Sequence, residues 1–133
     1  MPIKEDPRRR QKTVMCVDDD PAIREVIGHA LGGAGYQSVI CRSGPDCLAR
    51  LSAVQPQLIL LDLNMPGMDG FDTVREIRRR FPKLEVPLVM LTAQCTEKAV
   101  RAAKAVGTAD YLIKPFRIAH LIERVDYWTG LRH

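Results

Sequence analysis

The groups in this chain that could do chemistry are carboxylates, one hydroxyl and one ammonium, each placed at the end of a short apolar run. Asp18, Asp19 and Asp20 close Val14-Met15-Cys16-Val17, and Asp62 closes Leu58-Ile59-Leu60-Leu61. Thr92 follows Leu88-Val89-Met90-Leu91, and Lys114-Pro115 follows Tyr111-Leu112-Ile113. Clustered carboxylates are hard oxygen donors and suit a divalent cation. An ammonium and a hydroxyl nearby suit the oxygens of a phosphoryl group.

For these groups to meet, the runs that carry them must share one edge. Short apolar runs separated by stretches of helical period read as buried parallel strands. The strands of such a sheet end at one edge, where ligands bind. The pattern alternates five times. Lys12 to Val17 is the first strand, and Asp20-Pro21 is a cap and first position for the helix after it. That helix carries Ile23, Val26, Ile27, Ala30 and Leu31 at the spacing of one buried stripe and stops at Gly32-Gly33-Ala34-Gly35. Gln37 to Cys41 is the second strand, followed by a helix opened by Pro45 and bearing Leu48 and Leu51. Gln57 to Leu61 is the third, then a turn-rich loop from Asn64 to Gly70 and a helix placing Val74 and Ile77 inward. Leu88 to Leu91 is the fourth, with a helix from Thr96 to a stop at Gly107. Tyr111 to Ile113 is the fifth, with a last helix carrying Ile118, Leu121, Ile122 and Val125. The layout is α/β, a (βα)5 three-layer sandwich with helices on both faces of a parallel sheet.

Composition sets the outer bounds. The 133 residues fit one domain, 46% hydrophobic and only 5% aromatic, so the core is aliphatic. No apolar run approaches the roughly 20 residues that span a bilayer, and the start of the chain is no secretory signal. Cys16, Cys41, Cys47 and Cys95 have no metal-type spacing and read as free thiols. The reading is a cytoplasmic protein. Of the net charge of +4, residues 1–12 hold +3, from Lys4, Arg8, Arg9, Arg10 and Lys12 against Glu5 and Asp6. They read as a disordered basic arm before a domain at 13–133. The domain has no base-reading motif, which argues against nucleic acid as a partner of this chain alone.

The four motifs together resemble the receiver domain of bacterial two-component response regulators. They are Val17-Asp18-Asp19-Asp20, Leu61-Asp62-Leu63-Asn64-Met65-Pro66-Gly67-Met68-Asp69-Gly70, Leu91-Thr92-Ala93 and Tyr111-Leu112-Ile113-Lys114-Pro115-Phe116, in the family's order over residues 13–128. The resemblance implies a flavodoxin-like sheet of order 2-1-3-4-5 and a phosphoacceptor signalling protein rather than a classical enzyme. By it, Asp62 is phosphorylated by a sensor histidine kinase or a histidine phosphotransfer protein. Asp19, Asp62 and the backbone carbonyl of Asn64 bind Mg²⁺, with Asp18 helping directly or through water. Lys114 and Thr92 contact the phosphoryl group, Thr92 and Tyr111 switch together, and Lys114-Pro115 is a candidate cis peptide. Asn64 and Gln94 flank the path of hydrolytic water. The output surface is that of the fourth helix, fifth strand and fifth helix, read by a downstream protein and compatible with a homodimer. Too few residues follow Lys114 for an output domain within this chain.

Other readings stand beside these. Asp20 is explained by capping, and Asp69 and Asp72 by a turn and a helix start. Arg78-Arg79-Arg80 suits a helix C-terminus. His29, His120 and His133 adjoin no acidic motif, and nothing marks Cys95 as reactive. A haloacid-dehalogenase-type phosphatase would need a second Asp where Asn64 stands. A pseudo-receiver, keeping the fold as an interaction module, is the alternative that the complete acidic set argues against.

Overall fold

The computed structural model describes residues 3–131. Met1, Pro2, Arg132 and His133, and with them two positions of the expected arm and one scattered histidine, lie outside the described residues. Five strands and five helices alternate along the chain: β1 (Thr13–Val17), α1 (Pro21–Ala34), β2 (Gln37–Cys41), α2 (Gly44–Val54), β3 (Leu58–Asp62), α3 (Gly70–Arg80), β4 (Leu88–Thr92), α4 (Glu97–Ala105), β5 (Asp110–Ile113) and α5 (Ile118–Trp128). The strands form one parallel sheet in the order β2-β1-β3-β4-β5. The expected layout and strand order are both present.

Successive residues of each strand point to opposite sheet faces, and both faces are buried. Met15, Val17, Ile59, Leu61, Leu88 and Met90 meet Leu48 and Leu51 of α2 and Val74 and Ile77 of α3. Val14, Cys16, Leu58, Leu60, Val89 and Leu91 meet Ile27 and Leu31 of α1 and Leu121, Ile122 and Val125 of α5. Double-sided burial is why β3 and β4 read as unbroken apolar runs rather than as alternation. Trimming one such residue, Leu60→Ala for example, would cost about 2–5 kcal/mol.

Most element ends follow local chemistry. Asp20 caps α1 by accepting from the Ala22 N–H at 2.9 Å, and Asp69 with Asp72 forms a reciprocal capping box at the start of α3. The expected stop of α1 shifts: Gly32 and Gly33 are helical, and the chain turns at Gly35, whose φ of 111° is left-handed. Val26 also departs from the expected stripe. It is 44% exposed, because α1 sits on Ile27 and Leu31 and rotates Val26 toward solvent.

The larger correction concerns the arm. Residues 3–12 are folded against the body rather than solvated, with a single 3-10 turn at Pro7–Arg9. Arg9 is buried, its guanidinium donating to both carboxylate oxygens of Asp126 at 2.9 and 2.8 Å. The Pro/Arg-rich composition that argued for a tail hid a side chain with a buried partner.

Candidate functional site

Parallel strands deliver their C-terminal residues to one edge, and the acidic residues gather there. Asp18 follows β1 and is fully buried, Asp62 ends β3 and is nearly so, and Asp19 is exposed at the mouth. One carboxylate oxygen from each lies within 4.8 Å of the others. Asp20, by contrast, points to its capping bond and takes no part.

Lys114, carried in by β5, lies between the two buried acids. Its ammonium donates to Asp18 Oδ2 at 2.7 Å and to Asp62 Oδ1 at 3.2 Å. Asp18 is thus its nearer partner, which motif spacing did not reveal. The Lys114–Pro115 bond is cis, as the resemblance implied. Asp18 is further fixed through its other oxygen, which accepts the Asp20 N–H at 3.0 Å, and through its carbonyl, which accepts from Arg24 at 3.0 Å. Arg24 carries no motif signal. Only its place one turn into α1 would have hinted at it.

Three carboxylates against one ammonium leave the cluster short of positive charge. Burial, and next the charge of Asp18, push the Asp62 carboxyl up to about 6, and Lys114 only partly offsets them. For Lys114, burial works against the ammonium, but the Asp18 hydrogen bond and the charges of Asp18 and Asp62 outweigh it, so its pKa is raised. An all-oxygen donor set with a charge deficit fits a hard divalent cation such as Mg²⁺.

The far wall comes from β4 and its loop. Thr92 is fully buried, and its Oγ1 accepts the Gln94 N–H at 3.0 Å, which leaves the hydroxyl proton to donate elsewhere. The Tyr111 hydroxyl donates to the Gln94 carbonyl, so residue 94 is tied to both expected switch residues. The Gln94 amide also donates to Asn64 Oδ1 at 3.1 Å, and the Asn64 N–H reaches Asp62 Oδ1 at 3.3 Å. The two residues expected beside the water path therefore touch each other across the mouth.

Gly70 was legible only as a turn residue, yet it shapes this edge. A Cβ there would stand 2.6 Å from the Asp62 carbonyl and 2.8 Å from Leu63 Cα. Only glycine lets the start of α3 press so closely on the end of β3. Two of the buried thiols are poor nucleophiles: burial pushes Cys41 up to about 11 and Cys47 up to about 12.

The family described as "Response regulator receiver domain" matches residues 14–126. The DNA-binding transcriptional regulator NtrC of Salmonella typhimurium is 39% identical over 113 residues, which are 85% of this chain and 24% of that one. The chain therefore spans about a quarter of that relative's length. The chemotaxis protein CheY4 of Vibrio cholerae superposes with a TM-score of 0.83 at 32% identity, covering 87% of this chain and 97% of that one. The receiver domain of the sensor histidine kinase PA1611 from Pseudomonas aeruginosa, solved with magnesium coordinated in its active-site cleft, gives 0.81 at 29% identity, over 90% of this chain and 98% of that one.

Proposed function

We propose, for a chain that belongs to the family of response regulator receiver domains of two-component systems, that Asp62 is the group phosphorylated and that Asp18, Asp19, Lys114 and Thr92 make this attack feasible. The observation that carries the reading is the placement of Lys114 between Asp18 and Asp62, beside a third carboxylate.

The donor would be a phosphohistidine on a kinase or phosphotransfer protein. Asp62 attacks the phosphorus through a carboxylate oxygen, forming an O–P bond as the N–P bond breaks, and the imidazole leaves with the electron pair. Asp18, Asp19, Asp62 and the Asn64 carbonyl would hold Mg²⁺, as the PA1611 receiver domain holds magnesium, and the ion would neutralise charge between carboxylates and phosphoryl oxygens. Lys114 already rests on Asp62 and needs only a small shift to meet a phosphoryl oxygen. Thr92 supplies its hydroxyl proton from the opposite wall. Such a site works through positioning and electrostatics.

Output follows from the tie between Thr92 and Tyr111. Movement of the Thr92 hydroxyl toward the phosphoryl group disturbs residue 94, and with it the carbonyl that anchors Tyr111. Tyr111 lies on β5, so the change reaches the α4-β5-α5 face, where Ile113 and Tyr127 are exposed. A downstream protein, or a second copy of the chain, would read that face. Asn64 and Gln94 would set how readily water reaches the acyl phosphate. No described helix is long and apolar enough to cross a membrane.

Intact-mass analysis after incubation with acetyl phosphate tests the reading. A phosphoryl adduct that requires Mg²⁺ and vanishes in Asp62→Asn is expected. An adduct that survives that substitution would place the acceptor elsewhere and overturn the assignment.

A further inference from the structure

The edge of the sheet opposite the acidic site holds a second buried ion pair among the described residues, and it belongs to the arm. Arg9 sits just before β1, Tyr36 just before β2, and Asp126 near the end of α5. Besides its two bonds to Asp126, Arg9 donates through Nη1 to the Ala34 carbonyl at 3.0 Å and to the Lys4 carbonyl at 2.9 Å. The Tyr36 hydroxyl donates to Asp126 Oδ1 at 2.5 Å and lies 3.1 Å from the Thr129 hydroxyl. Lys12 donates from its ammonium to the Thr129 carbonyl at 2.6 Å.

These bonds share a purpose that helix physics makes plain. A helix C-terminus carries unpaired carbonyls and partial negative charge, and favours a nearby cation. Neither α1 nor α5 has a basic residue in its last turn. Arg9 reaches the last residue of α1, and Lys12 reaches the residue that ends α5. The arm thus provides both helices with the C-terminal cations that their own sequences lack. Its backbone is seated as well: Asp6 N–H donates to the Ala34 carbonyl at 3.1 Å, and the Lys12 carbonyl accepts from Gln37 at 3.1 Å. Gly35 permits the approach, since a Cβ there would stand 3.0 Å from the Asp6 carbonyl oxygen. Ile3 packs onto the α1/α5 core.

We propose that residues 3–12 are a built-in strap, latched by Arg9 on Asp126, that holds the C-terminal ends of α1 and α5 against the sheet. The strap is a conformational device separate from the acidic edge, and the inference does not depend on phosphoryl chemistry. Its consequence is that anything competing for the arm loosens α5 without disturbing the carboxylate cluster. It also takes up three of the arm's five basic side chains. Arg8 is held by Asp6 at 2.6 Å, Arg9 is internal, and Lys12 is committed to a carbonyl.

Hydrogen exchange read by mass spectrometry on the full chain tests the strap, with Mg²⁺ affinity measured alongside. Arg9→Met should raise exchange in peptides covering 3–12, 31–37 and 122–131 at least tenfold more than in β3 and β4. Mg²⁺ affinity should stay within twofold. Adding Asp126→Leu, which removes the carboxylate left without its guanidinium, should leave the arm and α5 both open, because the latch is still missing. A uniform rise across all peptides, unchanged exchange at 122–131, or an α5 protected again in the double variant while the arm stays open would each overturn the strap. If Arg9→Met does not fold, Arg9→Lys decides. It keeps the charge and loses the bidentate geometry, so the same peptides should open by a smaller factor, and a uniform change would again overturn the proposal.

Discussion

At one edge of the sheet, Asp18, Asp19 and Asp62 face a single ammonium, and the Asp62 carboxyl is pushed up to about 6 by burial and by Asp18. At the other edge, Asp126 receives both arms of one guanidinium together with a phenol. Both clusters are buried polar groups in one aliphatic domain. The second is balanced and matched in geometry, as a structural pair must be if it is not to destabilise the fold. The first is left with an excess of acid, which stability alone would not favour. A site that keeps such an excess is arranged to take up positive charge. The contrast separates a cluster matched for maintaining shape from one left with charge to be compensated.

Breaking each cluster in turn sharpens the contrast. The largest effect belongs to the balanced edge. Arg9→Met should lower stability in urea melts by about 3–5 kcal/mol, the usual cost of removing one partner of a buried pair, and the deficit relative to the parent should be the same with and without Mg²⁺. A deficit that shrinks or grows when Mg²⁺ is added would show that the two edges are not independent.

At the acidic edge the sign reverses. A carboxyl raised from 3.8 to about 6 in the folded state binds its proton more tightly there than in the unfolded chain. Its favourable contribution is complete below about pH 4 and lost as pH rises through about 6, an effect of at most roughly 3 kcal/mol. Asp62→Asn should therefore stabilise the Mg²⁺-free protein at pH 7.5 by about 1–3 kcal/mol. The gain should fade as the pH falls toward 4. A variant less stable than the parent at pH 7.5 would show that Asp62 is a structural partner of Lys114 instead.

Smaller effects follow. Lys12→Met, which loses the contact with the Thr129 carbonyl, should cost about 0.3–1 kcal/mol by thermal melting, with no change in Mg²⁺ affinity. Gln94→Ala should leave stability within about 0.5 kcal/mol, as exposed positions do. It should nevertheless change the decay rate of the phosphorylated protein several-fold, followed by intact mass. An unaltered rate would remove the Asn64–Gln94 contact from the account of phosphoryl lifetime.

The acidic edge was largely legible in the sequence, because an Asp closing four apolar residues is hard to explain by packing and because parallel strands bring their ends together. Lys114 was legible as a site residue but not as the nearer partner of Asp18, since that pairing depends on how far β5 projects and not on residue type. Gly70 looked like any turn glycine, and its close approach to β3 exists only in three dimensions. Arg9 was misread, and for a physical reason. Its signal lies 117 residues away at Asp126, and a charge run among prolines resembles solvated chain. The trace it left is indirect: two helices without basic last turns, beside a basic segment with no assigned place. Val26 was misplaced because a five-residue stripe is wider than the contact that α1 makes.

The central claim, that the acidic edge is held out of balance for a cation, is tested most directly by thermal melting of the parent and Asp62→Asn at pH 7.5, each with and without Mg²⁺. The account predicts that Mg²⁺ raises the parent's melting temperature by several degrees and that of Asp62→Asn by much less, so that the order of stability set without the ion narrows or reverses. Equal shifts in the two proteins, or none in the parent, would contradict it.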